Sequence, residues 1–454
     1  MKRVGIILLI ILFSSVASRS QTRLTLEDCI NIALVNNTLI KNSRTELSTS
    51  KAQKLSSYSS ILPQLSFSGS PSRNYRAPST YMGYAPTGYN PATGQVIYDK
   101  KEITSPANTT ENYGVSFNWS HTIWDQGRWW NQIQRAETGV RASEWNLQTT
   151  TVNTIANVKA RYYELVKALA QRKVREESVS LAQEQLKRSE TMYNIGTVAQ
   201  VDVFRSKVNL DRSKINLINH DLVIGNAKRN LALTMGRDIL VPLEVQTEFL
   251  LEVNYDISID DMINQALRNN PDIKRLEELI QGSELNVKIV KAARYPILSY
   301  SASYSRSNSE LERLYSDISK NYSFRIGLTV SCNIFDGFQT KSNIQQAENN
   351  LRLNEENLKD TKRNYQSTIT YYYQQLMAFK EKIEINKEMI LAAEEDLRLA
   401  NERYRLGSGT LIETIDAQVQ LTSARYSLLE LQYDDLIVEA YLHAAVSIDD
   451  EIKN

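Results

Sequence analysis

Three histidines stand far apart, at His121, His220 and His443, and the two cysteines, Cys29 and Cys332, are isolated. Metal centres and thiol chemistry need such residues in close sets, as in His-Glu-x-x-His or Cys-x-x-Cys, and neither occurs. Ser48-Thr-Ser-Lys51 has the Ser-x-x-Lys spacing of penicillin-binding enzymes, but no Lys-Thr-Gly accompanies it, so no activated serine is expected. Gly407-Ser-Gly409 falls between helical stretches rather than after a strand, where a phosphate-cradling loop would have to lie. Neither enzymatic activity nor a cofactor is expected. What remains is acid near helix starts: Thr410-x-x-Glu413 has capping-box spacing, and the helix dipole alone favours a carboxylate there. Such a group acquires a function only from the elements that place it.

Those elements begin with alternation. In Tyr322–Asp336, residues Tyr322, Phe324, Ile326, Leu328, Val330, Cys332 and Ile334 are apolar, and small or polar residues separate them. Successive strand side chains face opposite ways, so this is a strand with one apolar and one wet face. A tilted strand crosses a bilayer in about 9–11 residues. The pattern recurs over Tyr113–Asp125, and in shorter form at Leu65 and Phe67 and at Leu298, Tyr300, Ala302 and Tyr304. With 16 glycines and 9 prolines in 454 residues, an all-β protein full of turns is disfavoured. The 23% of charged residues balance to a net +1, so no nucleic-acid partner is expected.

The chain is written twice. Leu24-Thr-Leu-Glu-Asp28, Ala33-Leu34 and Asn36-Asn37 return 233 positions later as Ile257-Ser-Ile-Asp-Asp261, Ala266-Leu267 and Asn269-Asn270. Pro63 and Pro296 keep that offset, each just ahead of a strand. Further on the offset is 211: Ile123-Trp124-Asp125 matches Ile334-Phe335-Asp336, and Tyr193 and Gly196 match Tyr404 and Gly407. The difference of 22 (233 − 211) must lie between the two strands of the first repeat, where 71–112 reads as a long external loop; its counterpart, 307–321, is shorter. Each repeat therefore reads helix, strand, loop, strand, long helix, break, helix. The first helices are expected to run to about Ser60 and Ala293, with Thr25/Asp28 and Ser258/Asp261 as starts; Asp125 and Asp336 would cap the long helices. Within 339–404, apolar residues recur every seven from Leu351 to Ala400, interrupted by Asn386, with a second such row from Ile369 to Tyr404. That is a coiled-coil seam on a helix on the order of 100 Å long, whose partners are Val198–Met235 and Leu411–Val446. Gly196 and Gly407 break the hairpins, and Thr197 and Ser408 are placed to start the returning helices.

The expected organisation is a first repeat at 21–236, a linker at 237–256 with a strand-like run near Leu243, a second repeat at 257–448 and a tail at 449–454. Residues 1–20, with Lys2 and Arg3 ahead of the apolar run Val4–Phe13, read as a secretory signal peptide. No cysteine sits at its cleavage site, so no lipid anchor is expected. Since no stretch of the mature chain has the roughly 20 apolar residues of a spanning helix, a membrane could be crossed only by a closed barrel. Four strands cannot close one, because the smallest close at about eight, so copies must associate as a dimer of eight strands or a trimer of twelve.

The two-fold repeat, the four strands, the long hairpins and the Tyr-x-x-Gly breaks together resemble the TolC-like outer membrane factors of Gram-negative bacteria. The resemblance covers roughly Leu24–Ser447. Its most specific marks are Tyr193-Asn-Ile-Gly196 with Asp202 and Leu210, and Tyr404-Arg-Leu-Gly407 with Glu413, Asp416-Ala417-Gln418 and Leu421. It implies a homotrimer with a 12-stranded β-barrel in the outer-membrane lipid, continued by a long antiparallel α-helical barrel through the periplasm. It also implies a passive export duct that works with a periplasmic adaptor and an inner-membrane pump of RND or ABC type. By position, Glu413 and Asp416, with Asp202 in the first repeat, correspond to the carboxylates that close the periplasmic end; Gly196-Thr197 and Gly407-Ser408 correspond to the adaptor's docking points. Three-fold symmetry would gather like charges at a constriction, which disfavours full ionisation and attracts cations. Some relatives lock that end with a basic residue just after the second glycine, where this chain has Gly409; Arg205, aligned with Asp416, is the expected substitute. Phe117, Trp119, Trp124, Trp129 and Trp130 read as membrane-girdle aromatics. The alternative is a non-conducting secreted coiled-coil scaffold or periplasmic adaptor, which would be soluble without detergent.

Overall fold

The computed structural model describes residues 23–247, 258–316 and 318–447. Expectations for 1–20, for 449–454 and for most of the linker beyond Thr247 lie outside them. In chain order the first repeat forms α1 (Leu26–Asn36), α2 (Thr38–Ser57), β1 (Gln64–Arg76), β2 (Ser79–Tyr89), β3 (Val96–Ser105), β4 (Asn108–Trp124), α3 (Arg128–Asn194) and α4 (Gln200–Thr234). The second forms α5 (Ile259–Asn269), α6 (Pro271–Ala292), β5 (Ile297–Asn308), α7 (Arg313–Ser316), β6 (Tyr322–Ser331), α8 (Gln339–Arg405) and α9 (Leu411–Val446). Two compact units divide the described chain: one comprises residues up to 48, 141–277 and from 356 on; the other comprises 49–140 and 278–355.

In the second unit, β1, β4, β5 and β6 make one antiparallel sheet in the order β1-β4-β5-β6. Its register carries the alternation across all four strands. Phe67 faces Phe117, which faces Tyr304, which faces Phe324; one step along, Ser68, Ser116, Ser305 and Ser323 form the next row. A shift of one residue in any strand would turn its apolar set to the wet face, so pattern and pairing agree. Leu65, Phe67, Trp119, Phe324, Leu328 and Val330 stay exposed in the single chain. Among the described residues, the outer edges of β1 and β6 pair with no other strand.

Three expectations need correction here. The stretch 71–112 is not irregular: β1 and β4 extend into it, and β2 and β3 form a separate hairpin that turns at Asn90–Gly94, with Gly94 at φ +66°. Both faces of that hairpin are largely exposed, so nothing selects an apolar period that sequence could display. In 307–321, α7 forms a single short helical turn. The strand expected to reach Asp336 stops at Ser331, leaving Cys332 and Ile334 beyond it. Pro63 and Pro296 each sit one residue before a strand, where the missing N–H costs no ladder bond. Asp125 accepts the Trp129 N–H at 3.0 Å and Asp336 accepts the Thr340 N–H at 2.9 Å, as helix caps do.

In the first unit, two cores are built around equivalent positions of the repeats, with Tyr433 and Leu436 of α9 joining the first. Cys29, Val158, Leu165, Leu231 and Met235 are buried in one; Met262, Ile369, Leu376, Leu442 and Val446 in the other. The expected single first helix is broken in both repeats, at Asn37 and Asn270. Asn37 Oδ1 accepts the Leu39 N–H at 2.8 Å while Nδ2 donates to the Thr234 carbonyl at 2.7 Å. Asn270 does the same with the Asp272 N–H at 2.9 Å and the Ala445 carbonyl at 3.0 Å. One side chain thus starts a helix and ties off the end of another, a competition with helix interior that asparagine is suited to win. Thr25 and Asp28 form a full capping box, whereas the Ser258 side chain makes no cap bond. The linker contributes one parallel bridge, Leu24 to Val245. Both cysteines are free; burial pushes the Cys29 thiol up to about 12, and Cys332 is exposed.

Candidate functional site at the hairpin tips

Both tips lie in the first unit and begin with the same backbone device. Gly196 (φ +78°) donates to the Tyr193 carbonyl at 2.9 Å, and Thr197 N–H to Met192 at 2.9 Å. At the other tip Gly407 (φ +74°) donates to Tyr404 at 3.1 Å, and Ser408 N–H to Arg403 at 2.9 Å. These are Schellman endings of two 67-residue helices, and the left-handed residue is glycine because a Cβ would be strained there. The hydroxyls of Thr197 and Ser408 turn back to the same Met192 and Arg403 carbonyls, at 2.9 and 3.2 Å. They therefore close the outgoing helices and do not start the returning ones, contrary to expectation: the backbone N–H and hydroxyl converge on one orphan carbonyl.

The returning helices start unequally. Thr410 accepts the Glu413 N–H at 3.3 Å, capping α9, while Ala199 at the start of α4 offers no side-chain cap. The capping box at Thr410 is only half formed, because the Glu413 carboxylate reaches across the turn to Arg403 at 3.7 Å. Asp416 is exposed one turn further along α9, and Asp202 is half-buried in the first turn of α4. Tyr404 is buried nearby; burial pushes its phenol above the ordinary range, and the Asp202 charge adds to the rise. Arg205 is exposed, and among the described residues no carboxylate of the same chain lies within ion-pair distance of it. It borders an apolar groove of about 310 Å³ with Val201, Phe204, Val208, Ile412 and Ile415.

The structure thus gathers Gly196, Thr197 and Asp202 at one tip and Gly407, Ser408, Glu413 and Asp416 at the other, but does not bring Arg205 onto an acid within the chain. Sequence reasoning missed Arg403. Its signal was available: in an antiparallel hairpin, a residue four before the turn glycine can face one six after it. Gly409 leaves no room for a side chain, since a Cβ there would meet the Arg403 Cβ at 2.9 Å. Arg403 is the basic group that meets Glu413 at this tip. Among the described residues, no three His, Cys, Asp or Glu side chains form a metal cluster, and no helix is long and apolar enough to cross a membrane.

The chain is similar to known proteins in sequence and in fold. Over 295 residues, covering 64% of the chain, the sequence is 23% identical to a probable efflux pump outer membrane protein, TtgC, of Pseudomonas putida, 56% of which is covered. It is 21% identical over 242 residues, 53% of the chain, to the cation efflux system protein CusC of Escherichia coli, with 52% of that protein covered. The chain spans about half the length of these curated relatives. In fold it is similar to the Campylobacter jejuni CmeC outer membrane channel (TM-score 0.77, 20% identity, 93% of this chain and 85% of that one). The Neisseria gonorrhoeae MtrE outer membrane channel in its open state is also similar (TM-score 0.71, 21% identity, 93% and 88%). Residues 29–237 and 262–446 match the pattern of the family described as outer membrane efflux protein, and the chain belongs to that family.

Proposed function

We propose that the chain is a passive export duct of the Gram-negative outer membrane. Three copies would close a 12-stranded barrel through their free β1 and β6 edges, and their helices would form a tunnel in the periplasm. The observation that carries this reading is the register of the four-stranded sheet: four strands hold one exposed apolar face opposite one serine-rich face. Lipid suits the first face and a wet lumen suits the second. Unpaired strand edges are too costly in hydrocarbon for one copy to stand alone there. The aromatic residues Phe117, Trp119, Trp124 and Trp130 are exposed, as girdle residues would be.

At the periplasmic end, Asp202, Glu413 and Asp416 of three copies would form a ring of carboxylates that narrows the lumen and attracts cations. Arg403 would hold Glu413 at its own tip. An adaptor docking at Gly196-Thr197 and Gly407-Ser408, coupled to an inner-membrane pump of RND or ABC type, would draw the tips apart. CusC and TtgC are named for cation efflux and as an efflux pump component, and the same class of partnership is proposed here. The 21–236 and 257–448 repeats are the units of this design.

The test is conductance of the purified mature protein in a planar bilayer, beside a Glu413→Gln/Asp416→Asn variant. Small cation-preferring steps that grow or lose selectivity in the variant are expected. Steps indifferent to both substitutions would move the gate elsewhere. A protein soluble without detergent and giving no steps would leave the non-conducting scaffold.

A further inference from the structure

Where β4 gives way to α3, a polar pocket of about 310 Å³ opens. Its strand residues belong mainly to the wet face: Thr122 faces Ser299, and Ser120 stands in the same alternating set. Ser60, from the connection between α2 and β1, adds another hydroxyl. Arg128 lines the pocket without a counterpart. Its Nε is buried with no hydrogen-bond partner, and among the described residues no carboxylate lies within ion-pair distance of it. His121 also lines the pocket, and its buried Nδ1 has no partner either. A guanidinium can only donate, so what Arg128 lacks is an acceptor. A buried donor left unmade is costly, and a charge without a counter-ion more so.

The fold alone does not require these groups. At the offset of 211, Gln339 and Cys332 occupy the places of Arg128 and His121, so the second repeat makes its strand-to-helix junction without either. Asp125 is buried, whereas the equivalent Asp336 is only half-buried. Asp125 is also the one acidic group that lines the pocket. Its two oxygens accept the Trp129 N–H at 3.3 and 3.0 Å and keep lone pairs to spare. A matching ligand therefore offers acceptors to Arg128 and the hydroxyls, and a proton to Asp125. Water, at about 30 Å³ a molecule, satisfies single groups but brings no charge to Arg128. Sulfate and the phosphodiester of a lipid headgroup are acceptors only. Inorganic phosphate keeps a proton at neutral pH and meets both demands.

We propose that the pocket at the β4–α3 junction binds inorganic phosphate. Arg128 and the hydroxyls of Ser60, Ser120, Thr122 and Ser299 donate to its oxygens, and Asp125 accepts its O–H. Arginine suits the task because its fork of N–H groups matches two phosphate oxygens. Asp125 supplies selectivity, since an oxyanion without a proton meets its charge with repulsion and no hydrogen bond. The pocket is complete within one chain, so the site stands whether or not copies associate into a duct. A phosphate seated there ties the α2–β1 connection to the start of α3.

The test is calorimetric titration of the full-length protein with inorganic phosphate, in detergent and phosphate-free buffer. Saturable binding of one phosphate per chain is expected. Arg128→Gln, the residue that the second repeat carries at this place, should weaken it by about tenfold or more. Arg128→Lys, which keeps the charge without the fork, should fall between the two. Arg325→Gln should change nothing, although Arg325 lies on the same wet face, opposite Ser303. Sulfate should compete about tenfold less well than phosphate, and Asp125→Asn, which keeps a good helix cap, should bring the two anions to parity. No saturable binding would overturn the site and leave water at Arg128. Unchanged affinity in Arg128→Gln and Arg128→Lys, or a loss in Arg325→Gln, would put the phosphate elsewhere and overturn it as well. Sulfate competing as well as phosphate would mean an ion that only accepts. Displacement by phosphatidylglycerol in mixed micelles would mean a lipid headgroup. Either result would overturn the assignment to phosphate.

Discussion

The helices of the two repeats are close copies in backbone and differ in what secures their ends. At the top of the first, Gly236 takes a left-handed conformation (φ +68°) against the Asn36 backbone; at the top of the second, Ser447 takes the same conformation (φ 57°) with a side chain. At the tips the first repeat uses a buried Ser189–Ser206 hydroxyl pair at 2.9 Å, where the second has Ala400 and Ala417. The second adds a threonine cap and the Arg403–Glu413 pair, where the first has Ala199 and Met192. One fold is thus held in two ways. The first tip rests on an internal polar tie; the second keeps one buried bond, from Thr414 Oγ1 to the Ala400 carbonyl at 3.4 Å, and adds exposed contacts that solvent or a partner can exchange. A tip fastened from outside is the better candidate for a moving part.

The largest effect that would break this comparison is at the upper ends. Gly236→Ala places a Cβ 2.5 Å from the Asn36 carbonyl oxygen and adds left-handed strain. Strain and overpacking together should destabilise by about 3 kcal/mol. Ser447→Gly should do the reverse, gaining about 1 kcal/mol by relieving the same strain at the equivalent position. Denaturant unfolding followed by helical circular dichroism measures both. Equal, small effects would show that the left-handed turn is not what closes α4 and α9.

The tips come next. Thr410→Ala should cost about 1 kcal/mol of local stability in the first turn of α9, and Ala199→Thr should add a similar amount to α4. Hydrogen exchange at the first-turn amides reads each directly. Faster exchange at 411–414 in the first variant and slower exchange at 200–203 in the second is expected. If neither changes, the tips are secured by packing alone.

Much of this was legible in the sequence because physics writes it periodically. Strand faces, the seven-residue seam, the 233 and 211 offsets and the tip glycines are repeating or conformationally demanding features, and the structure has each of them. Legibility ends where a residue's role is set by something across a turn or across the fold. Asn37 and Asn270 were visible as repeat marks, but their second bond goes to carbonyls 197 and 175 residues away. The β2–β3 hairpin carries no buried face and so no pattern. Arg403 looked like one more charge on a solvated helix, and Thr197 and Ser408 looked like caps because sequence does not reveal which helix a turn hydroxyl will face.

The smallest expected effect separates two helix starts that look alike in sequence. Thr25 N–H and Oγ1 both donate to Asp28 Oδ2, at 3.0 and 2.8 Å, and these bonds hold the Asp28 carboxyl below the usual aspartate range. A carboxylate whose folded value is depressed stabilises the fold above its unfolded value and loses that contribution as pH falls through the folded one. Asp28 is exposed, so the contribution is small and solvent-screened. At Ser258, the equivalent of Thr25, no side-chain cap forms. Acidification from neutral pH to below the ordinary aspartate range should therefore loosen the first turn of α1 more than that of α5. Amide exchange at 26–29 and 259–262, corrected for intrinsic rates, makes the comparison, and Asp28→Asn should remove the pH dependence at the first site alone. A parallel loss at both would mean that acid acts on the whole helix layer rather than on this cap.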